Sequence, residues 1–423
     1  MTCDTFREKA HGKLSQVFGI MGVTKEVAGE STMLNKKTLF CIVTGLFWFS
    51  MYAYIPQMTN YAKEMGASYK MIGMIASAYG LSQTILRIPL GIISDALNRR
   101  KIFITLGLLI IVVSTLLVFA MPNTYTLLAA RFLAGVAAAT WINYTVMFSN
   151  YYESSQVSKA MGIINSTNKT GQFAAALAGG VVSLYLGVRY LFLLSAIGGV
   201  VGFVLSLSIW EEKNSTGKEP FQLSCMLSML SNKDILHVSV LAIFSQVITY
   251  STAFGFTPLV ASNLGASNFQ LSMLAIAFNF PQIVFAALSG ILFVKYLGEK
   301  TTLLIGFCVS SVICMLTPFS SSLTILYTIQ IISGIANAIT FPLLMGLAIH
   351  NVASNARTTI MGFFQAMYGI GMIIGPILMG SIGDQFGLIT GFIVTGMFGI
   401  VAMMSVAFVG VHDSRGTLSN SNN

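Results

Sequence analysis

Twelve stretches of mostly apolar residues, each about as long as a helix needs to cross a hydrocarbon core, dominate this chain. They run over about 38–59, 70–94, 102–121, 126–149, 160–184, 188–210, 235–258, 268–293, 302–318, 323–348, 358–381 and 387–410. Inside a bilayer every peptide group must bond within the protein, so each stretch is expected to be a helix; the alternating pattern of a membrane barrel is absent. With 55% apolar and 9% charged residues and a mean hydropathy of +0.78, the chain has too little polar surface to enclose a water-soluble core of 423 residues. The expected fold is an all-α membrane protein with twelve spans.

The connections are short except for 211–234, which divides the spans six and six. The expected organisation is a segment 1–37, a six-helix bundle 38–210, the central loop 211–234, a second bundle 235–410 and a tail 411–423. Of the 23 Lys and Arg residues, 17 fall on the side of the two termini and three, Lys63, Lys70 and Arg189, on the other. Basic loops stay inside, so both termini are expected in the cytoplasm. The net charge of +9 then reports topology and attraction to anionic headgroups, and a nucleic-acid partner is not expected. Five scattered cysteines show no metal spacing and no disulfide framework. The first 37 residues lack a cleavable signal pattern and are expected to lie loosely on the surface, as an amphipathic helix or without structure.

The halves repeat each other. "MGIINSTNKTGQFAAALAGG" from Met161 aligns without gaps on "MGFFQAMYGIGMIIGPILMG" from Met361, matching Gly171 with Gly371 and Gly180 with Gly380. One residue off that spacing, Gln83 pairs with Gln282, Gly91 with Gly290 and Gly135 with Gly334. Two parallel six-helix repeats are a transporter architecture. In "GIISDALNRRK", residues 91–101, Gly91, Asp95, Arg99 and Arg100 resemble the loop between helices 2 and 3 of the major facilitator superfamily, with Ala96 and Asn98 departing from its pattern. "ARFLAGVAAA", 130–139, resembles that family's helix 4. "GMIIGPILMG", 371–380, is similar to its Gly-Pro helix, although the family's drug–proton antiporters carry that pair in helix 5, where Ala175 and Ala176 stand here. The resemblance implies twelve helices in two pseudo-symmetric bundles. It also implies a latch in which Asp95 meets the start of helix 11 when the carrier faces outward, and cavity-lining roles for helices 1, 4, 7 and 10. Gly135, Gly371, Gly375, Pro376 and Gly380 are expected to serve close packing and bending.

Charge in mid-membrane is costly and marks candidate sites. Lys169 lies too deep in the fifth span to snorkel, within "NSTNKTGQ", whose Asn165 and Asn168 fit a glycosylation sequon only by accident; it either lines a cavity or bonds to carbonyls. Arg87 either faces the cavity or braces the basic loop. Arg131 either snorkels or couples substrate or proton movement. All 14 acids lie in loops, tails or span ends, so a cavity holding these three cations is positive and favours an anionic or carboxylate-bearing solute. Further candidates are Asn143, Tyr144, Gln246, Tyr250, Gln282, Gln365 and Tyr368, with Trp48, Tyr52, Trp141, Asn279, Gln330 and Asn337 beside them; each could equally be an interhelical bond or core packing.

No Walker A or dinucleotide motif, nucleophile–base pair or metal cluster is visible, so no cofactor, metal or enzymatic activity is expected. The expected function is secondary active transport of a small organic solute by alternating access, with a proton or counter-anion as possible coupling partner. The alternatives are a proton-coupled multidrug or metabolite exporter and a non-transporting sensor on the same fold. A monomer in a bacterial inner membrane is expected.

Overall fold

A computed structural model describes residues 36–97, 99–153, 156–211, 232–288, 293–349 and 357–409. The expected amino-terminal segment up to residue 35, most of the central loop and the tail from 410 lie outside the described residues. The described chain is almost wholly helical. Twelve long helices follow in order: α1 Lys36–Glu64, α2 Tyr69–Leu97, α3 Arg100–Ala120, α4 Thr124–Ser149, α5 Val157–Tyr185, α6 Arg189–Ser206, α7 Lys233–Asn263, α8 Asn268–Leu288, α9 Glu299–Phe319, α10 Leu323–Ile349, α11 Arg357–Phe386 and α12 Leu388–Val409.

Nine of these stand out as apolar enough along their described length to cross a membrane on that ground alone; α2 and α5, which carry Arg87 and Lys169 in mid-span, do not. Packing supplies the reason. α2 lies along α11 and α5 lies along α8, each across the boundary between the halves. A helix covered by protein on two sides can carry polar residues that lipid would expel. Inside the halves the pairings repeat: α2 with α4 matches α8 with α10, and α3 with α6 matches α9 with α12. Likewise α7 lies on α11, and in the first half Gly171 and Gly179 of α5 press on the backbone at Gly45 and Ala53 of α1. The result is two pseudo-symmetric six-helix bundles.

Helix irregularities mirror each other too. α1 breaks at Ala53–Tyr54 just before Pro56, and α7 widens into a π turn at Thr252–Phe256 just before Pro258. Proline has no N–H and its ring crowds the carbonyl one turn back, so the preceding turn gives way. Both breaks fall in the helices that approach the centre. α4 is interrupted at Thr140, whose hydroxyl donates to the Ala137 carbonyl at 2.7 Å.

Several expected boundaries move. Lys36 and Lys37 belong to α1 rather than to the segment before it, because each ammonium sits over a ring, Lys36 4.4 Å from the Trp210 centroid and Lys37 3.9 Å from that of Tyr152. α7 starts at Lys233, capped by the Asn232 side chain, and runs past the expected 258 to Asn263. The second span, expected to end at 94, continues as helix through Leu97, and the third begins at Arg100 rather than 102.

Glycine permits the contact between halves. A Cβ at Gly73 would strike the Pro376 carbonyl, and one at Gly380 would strike the Tyr69 carbonyl, so only hydrogen lets α2 and α11 approach this closely. Gly371 and Gly375 instead face Ile243 and Val247 of α7, and Gly135 faces Tyr79 of α2.

Candidate functional site

The break in α1 and the π turn in α7 bring Tyr52, Tyr250 and Phe254 to the centre, where they meet Tyr79 of α2 and Arg131 of α4 around a cavity of about 10 Å³, room for about one water. Arg131 does not snorkel. Only 6% of it is exposed; its guanidinium lies 4.6 Å from the Tyr79 ring centroid, and one Nη donates to the Tyr54 hydroxyl at 3.5 Å. Its Nε is buried and has no hydrogen-bond partner among the described residues. A guanidinium carries five donors, and a ring face and one long hydroxyl contact leave most of that capacity unused.

A second cavity of about 10 Å³ lies between α2 and α11, lined by Gln83, Thr84, Arg87, Gln365 and Tyr368. The Arg87 guanidinium donates to Gln365 Oε1 at 2.7 Å and to the Tyr368 hydroxyl at 3.2 Å. Of the two sequence readings, bracing the basic loop is not what it does: its bonds cross to the other half. Its Nε is also buried without a partner among the described residues. A third cavity, about 20 Å³, is lined among others by Tyr52, Gln172, Asn279 and Gln330.

Gln172, on the side lining the third cavity, donates to Asn168 Oδ1 at 2.6 Å. Asn165, exposed, donates to the Met161 carbonyl at 2.9 Å. Lys169 is half-buried and makes no hydrogen bond or ion pair with the described residues, so the carbonyl-bonded alternative is not realised. At 3.6 residues per turn it stands within a quarter turn of Gln172 and Asn165.

Other candidates are placed elsewhere. Asn143 and Tyr144 are fully buried inside the first half: Asn143 accepts from Arg100 Nη1 at 3.4 Å, and the Tyr144 ring stacks on Trp141, 5.7 Å between centroids. Gln246 is buried where α7 meets Gly371, and Gln282 donates to the Phe278 carbonyl at 3.1 Å within α8. Asn337 donates to Thr249 Oγ1 at 2.8 Å, tying α10 to α7. The centre thus gathers Arg131 with Tyr250, and Arg87 with Gln365 and Tyr368.

At the expected latch, the N–H groups of Arg100 and Lys101 both donate to the Glu211 carboxylate, the latter at 3.2 Å, and Lys101 Nζ donates to the Leu207 carbonyl at 2.6 Å. These bonds fasten the start of α3 to the end of α6 within one half. Arg99 is exposed, and the side chains of Asp95 and of the first residues of α11 lie outside the described residues.

A cross-half fastening does stand at the opposite end of the molecule, on a residue that sequence reasoning set aside as a span-end acid. Asp384 of α11 accepts from the backbone N–H groups of Tyr69 and Lys70, both at 2.8 Å. Ser68 takes the next two, Met71 N–H on its hydroxyl at 3.2 Å and Ile72 N–H on its carbonyl at 3.0 Å. Three of the free donors at the start of α2, the N–H groups of Tyr69, Lys70 and Met71, are thereby satisfied by side chains, two of them from the other half, and the Ser68 carbonyl takes the first bond of the helix. Nearby, Ser77 donates to the Ile373 carbonyl at 2.7 Å. From α1, Gln57 Nε2 donates across the halves to the Asn268 carbonyl at 2.9 Å and to Ser272 Oγ at 2.8 Å of α8, and Asn60 donates to the Pro258 carbonyl of α7 at 3.2 Å. The only advance signal for Asp384 was its place at the end of a helix whose partner begins there.

The family model described as Major Facilitator Superfamily matches residues 40–259 and 238–422. An uncharacterized MFS-type transporter of Methanocaldococcus jannaschii, MJ1560, is 24% identical over 82% of this chain and 90% of its own length. The multi-drug resistance efflux pump PmrA of Streptococcus pneumoniae is 23% identical over 79% of this chain and 85% of its own. Among solved structures, the nucleoside transporter NupG superposes with a TM-score of 0.71 at 16% identity, covering 88% of this chain and 98% of that one. A bacterial homolog of the human lysosomal transporter Spinster, inward-facing and unoccupied, also gives 0.71 at 16% identity, covering 88% and 96%.

Proposed function

The chain belongs to the major facilitator superfamily, and from that membership we propose that it moves a small organic solute across a bacterial inner membrane by alternating access, with an anionic or carboxylate-bearing solute favoured. The observation that carries the preference is Arg131: a buried guanidinium between the halves whose described contacts are a ring and a hydroxyl. An anion entering there would occupy donors that now go unused and would neutralise a charge held out of water. Arg87, Gln365 and Tyr368 form the neighbouring part of the site, and Lys169 with Asn165 and Asn168 lines the approach along α5.

The described bonds between halves lie between the level of Arg87 and the end where Asp384 caps α2. With the basic end taken as cytoplasmic, this is a carrier shut on the outside. Binding of solute at Arg131 and Arg87 would compete with the bonds from Arg87 to Gln365 and Tyr368, and so loosen the contact that holds the halves together near the centre.

The test is counterflow of labelled organic anions into proteoliposomes. Wild type should exchange at least one, and Arg131→Gln and Lys169→Gln should each lose exchange by tenfold or more while still reaching the membrane, as expected for a lost charged hydrogen bond. Exchange at the wild-type rate in both variants would overturn the site.

A second reading is drug or metabolite export. It is supported by the aromatic lining of the central cavity, Tyr52, Tyr79, Tyr250 and Phe254, and by the similarity to an efflux pump. Collapse of a proton gradient by cationic drugs in everted vesicles, with no anion exchange, would favour it.

A further inference from the structure

The largest hollow among those described is not at the centre. Between the basic-end parts of α1 and α5 runs a groove of about 780 Å³, walled by Ile42, Leu46 and Phe49 on α1 and by Ile163 and Ala174 on α5. Its position on α5 sets it apart from the transport path. At 100° per residue, Ile163, Thr170 and Ala174 lie on the side of the helix opposite Gln172, the residue that lines the third central cavity. Leu46 and Phe49 continue outward to Gly202 and Gly198 of α6, so the groove opens on the outer surface of the first half, where the bilayer is.

Its chemistry suits a hydrocarbon chain. The hydroxyls of Thr167 and Thr170 donate to the Ile163 and Ser166 carbonyls of their own helix, both at 2.9 Å, and the Thr167 methyl is what faces Gly45. Small residues at Gly45 and Gly162 make the depth; a Cβ on Gly162 would meet nothing within 4 Å. From Lys159 to Ala174 the groove follows α5 for about 22 Å, against about 15 Å for half a hydrocarbon core. Lys159 stands at its basic-end mouth, exposed, with no hydrogen bond or ion pair among the described residues.

We propose that this groove is a binding site for one anionic phospholipid of the leaflet at the basic end, an acyl chain filling the groove and the phosphate meeting Lys159. Charge at the mouth and apolar depth behind it match a headgroup and a tail in that order. α5 carries the lipid on one face and Lys169 on another, so occupancy would steady the helix that lines the solute's approach.

Native mass spectrometry of the full-length protein, delipidated in detergent and re-supplied with phosphatidylglycerol or phosphatidylethanolamine of identical chains, tests it. Wild type should retain one phosphatidylglycerol in preference to phosphatidylethanolamine. Gly162→Leu, whose side chain enters open space, should lose that retained lipid, and an unchanged unfolding midpoint would show that it is folded. Lys159→Gln, an exposed change that leaves the fold intact, should keep an acyl chain but lose about fivefold of the preference for the anionic headgroup. Unchanged retention in Gly162→Leu, or unchanged preference in Lys159→Gln, overturns the site; were Gly162→Leu to misfold, Lys159→Gln alone would decide.

Discussion

Arg87 and Arg131 show what a buried cation does when no acid comes with it. Each settles on hydroxyls, an amide or a ring, and each leaves Nε without a partner among the described residues. Their candidacy was legible in the sequence because a mid-span charge costs several kcal/mol unless protein or water receives it. Their partners were not legible: Tyr54 and Tyr79 reach Arg131 only because α1 and α2 pack on α4, and residue type does not disclose that. Asn143 and Tyr144 carried the same polar signal from α4 yet sit inside the first half, because the sign of a polar residue does not say which way its helix turns it. The Arg87 bonds yield a prediction. Gln365→Leu removes the shorter one and leaves a charged group with less compensation, so the closed contact should weaken by about 1.5–3 kcal/mol. A lower unfolding midpoint together with faster counterflow would bear this out; no change in either would mean that the Arg87–Gln365 bond carries no load.

Among the elements, α2 and α11 depend on each other most. The glycines that let them touch were visible as a repeat, and their role in packing was legible. That α2 begins under a carboxylate from the other half was not, since an acid at a span end ordinarily faces water. Asp384→Ala should leave Tyr69 and Lys70 N–H uncapped, at a cost of about 1 kcal/mol for a lost cap, and shift the closed-to-open ratio at that end roughly fivefold. The measurement is the labelling rate of Ala76→Cys, a position on the central cavity, by a membrane-impermeant maleimide. Asp384→Asn should restore most of the wild-type rate, because an amide oxygen still accepts there. Equal rates in all three backgrounds would remove Asp384 from the closing machinery.

At the scale of the whole molecule, twelve helices in two bundles followed from the spacing of apolar stretches and from the internal repeat, and α2 and α5, which carry charge in mid-span, are ones the fold shields. Sidedness rests on charge: an exposed cysteine at Lys63 should react with impermeant maleimide in intact cells, and one at Arg99 only in inverted vesicles. The reverse pattern would turn the carrier over. The pseudo-symmetry is also imperfect in one consequential place. The repeat partner of Asp384 is Leu184, near the end of α5, so the seam between α5 and α8 has no carboxylate, and the bonds beside it run from Gln57 of α1 to Asn268 and Ser272 of α8. Two lips fastened by different chemistry have no reason to part together. Opening should begin as a wedge along α5 and α8 and swing about α2 and α11, which would make the way in a lateral slit before it becomes a mouth, and would select solutes first by their width.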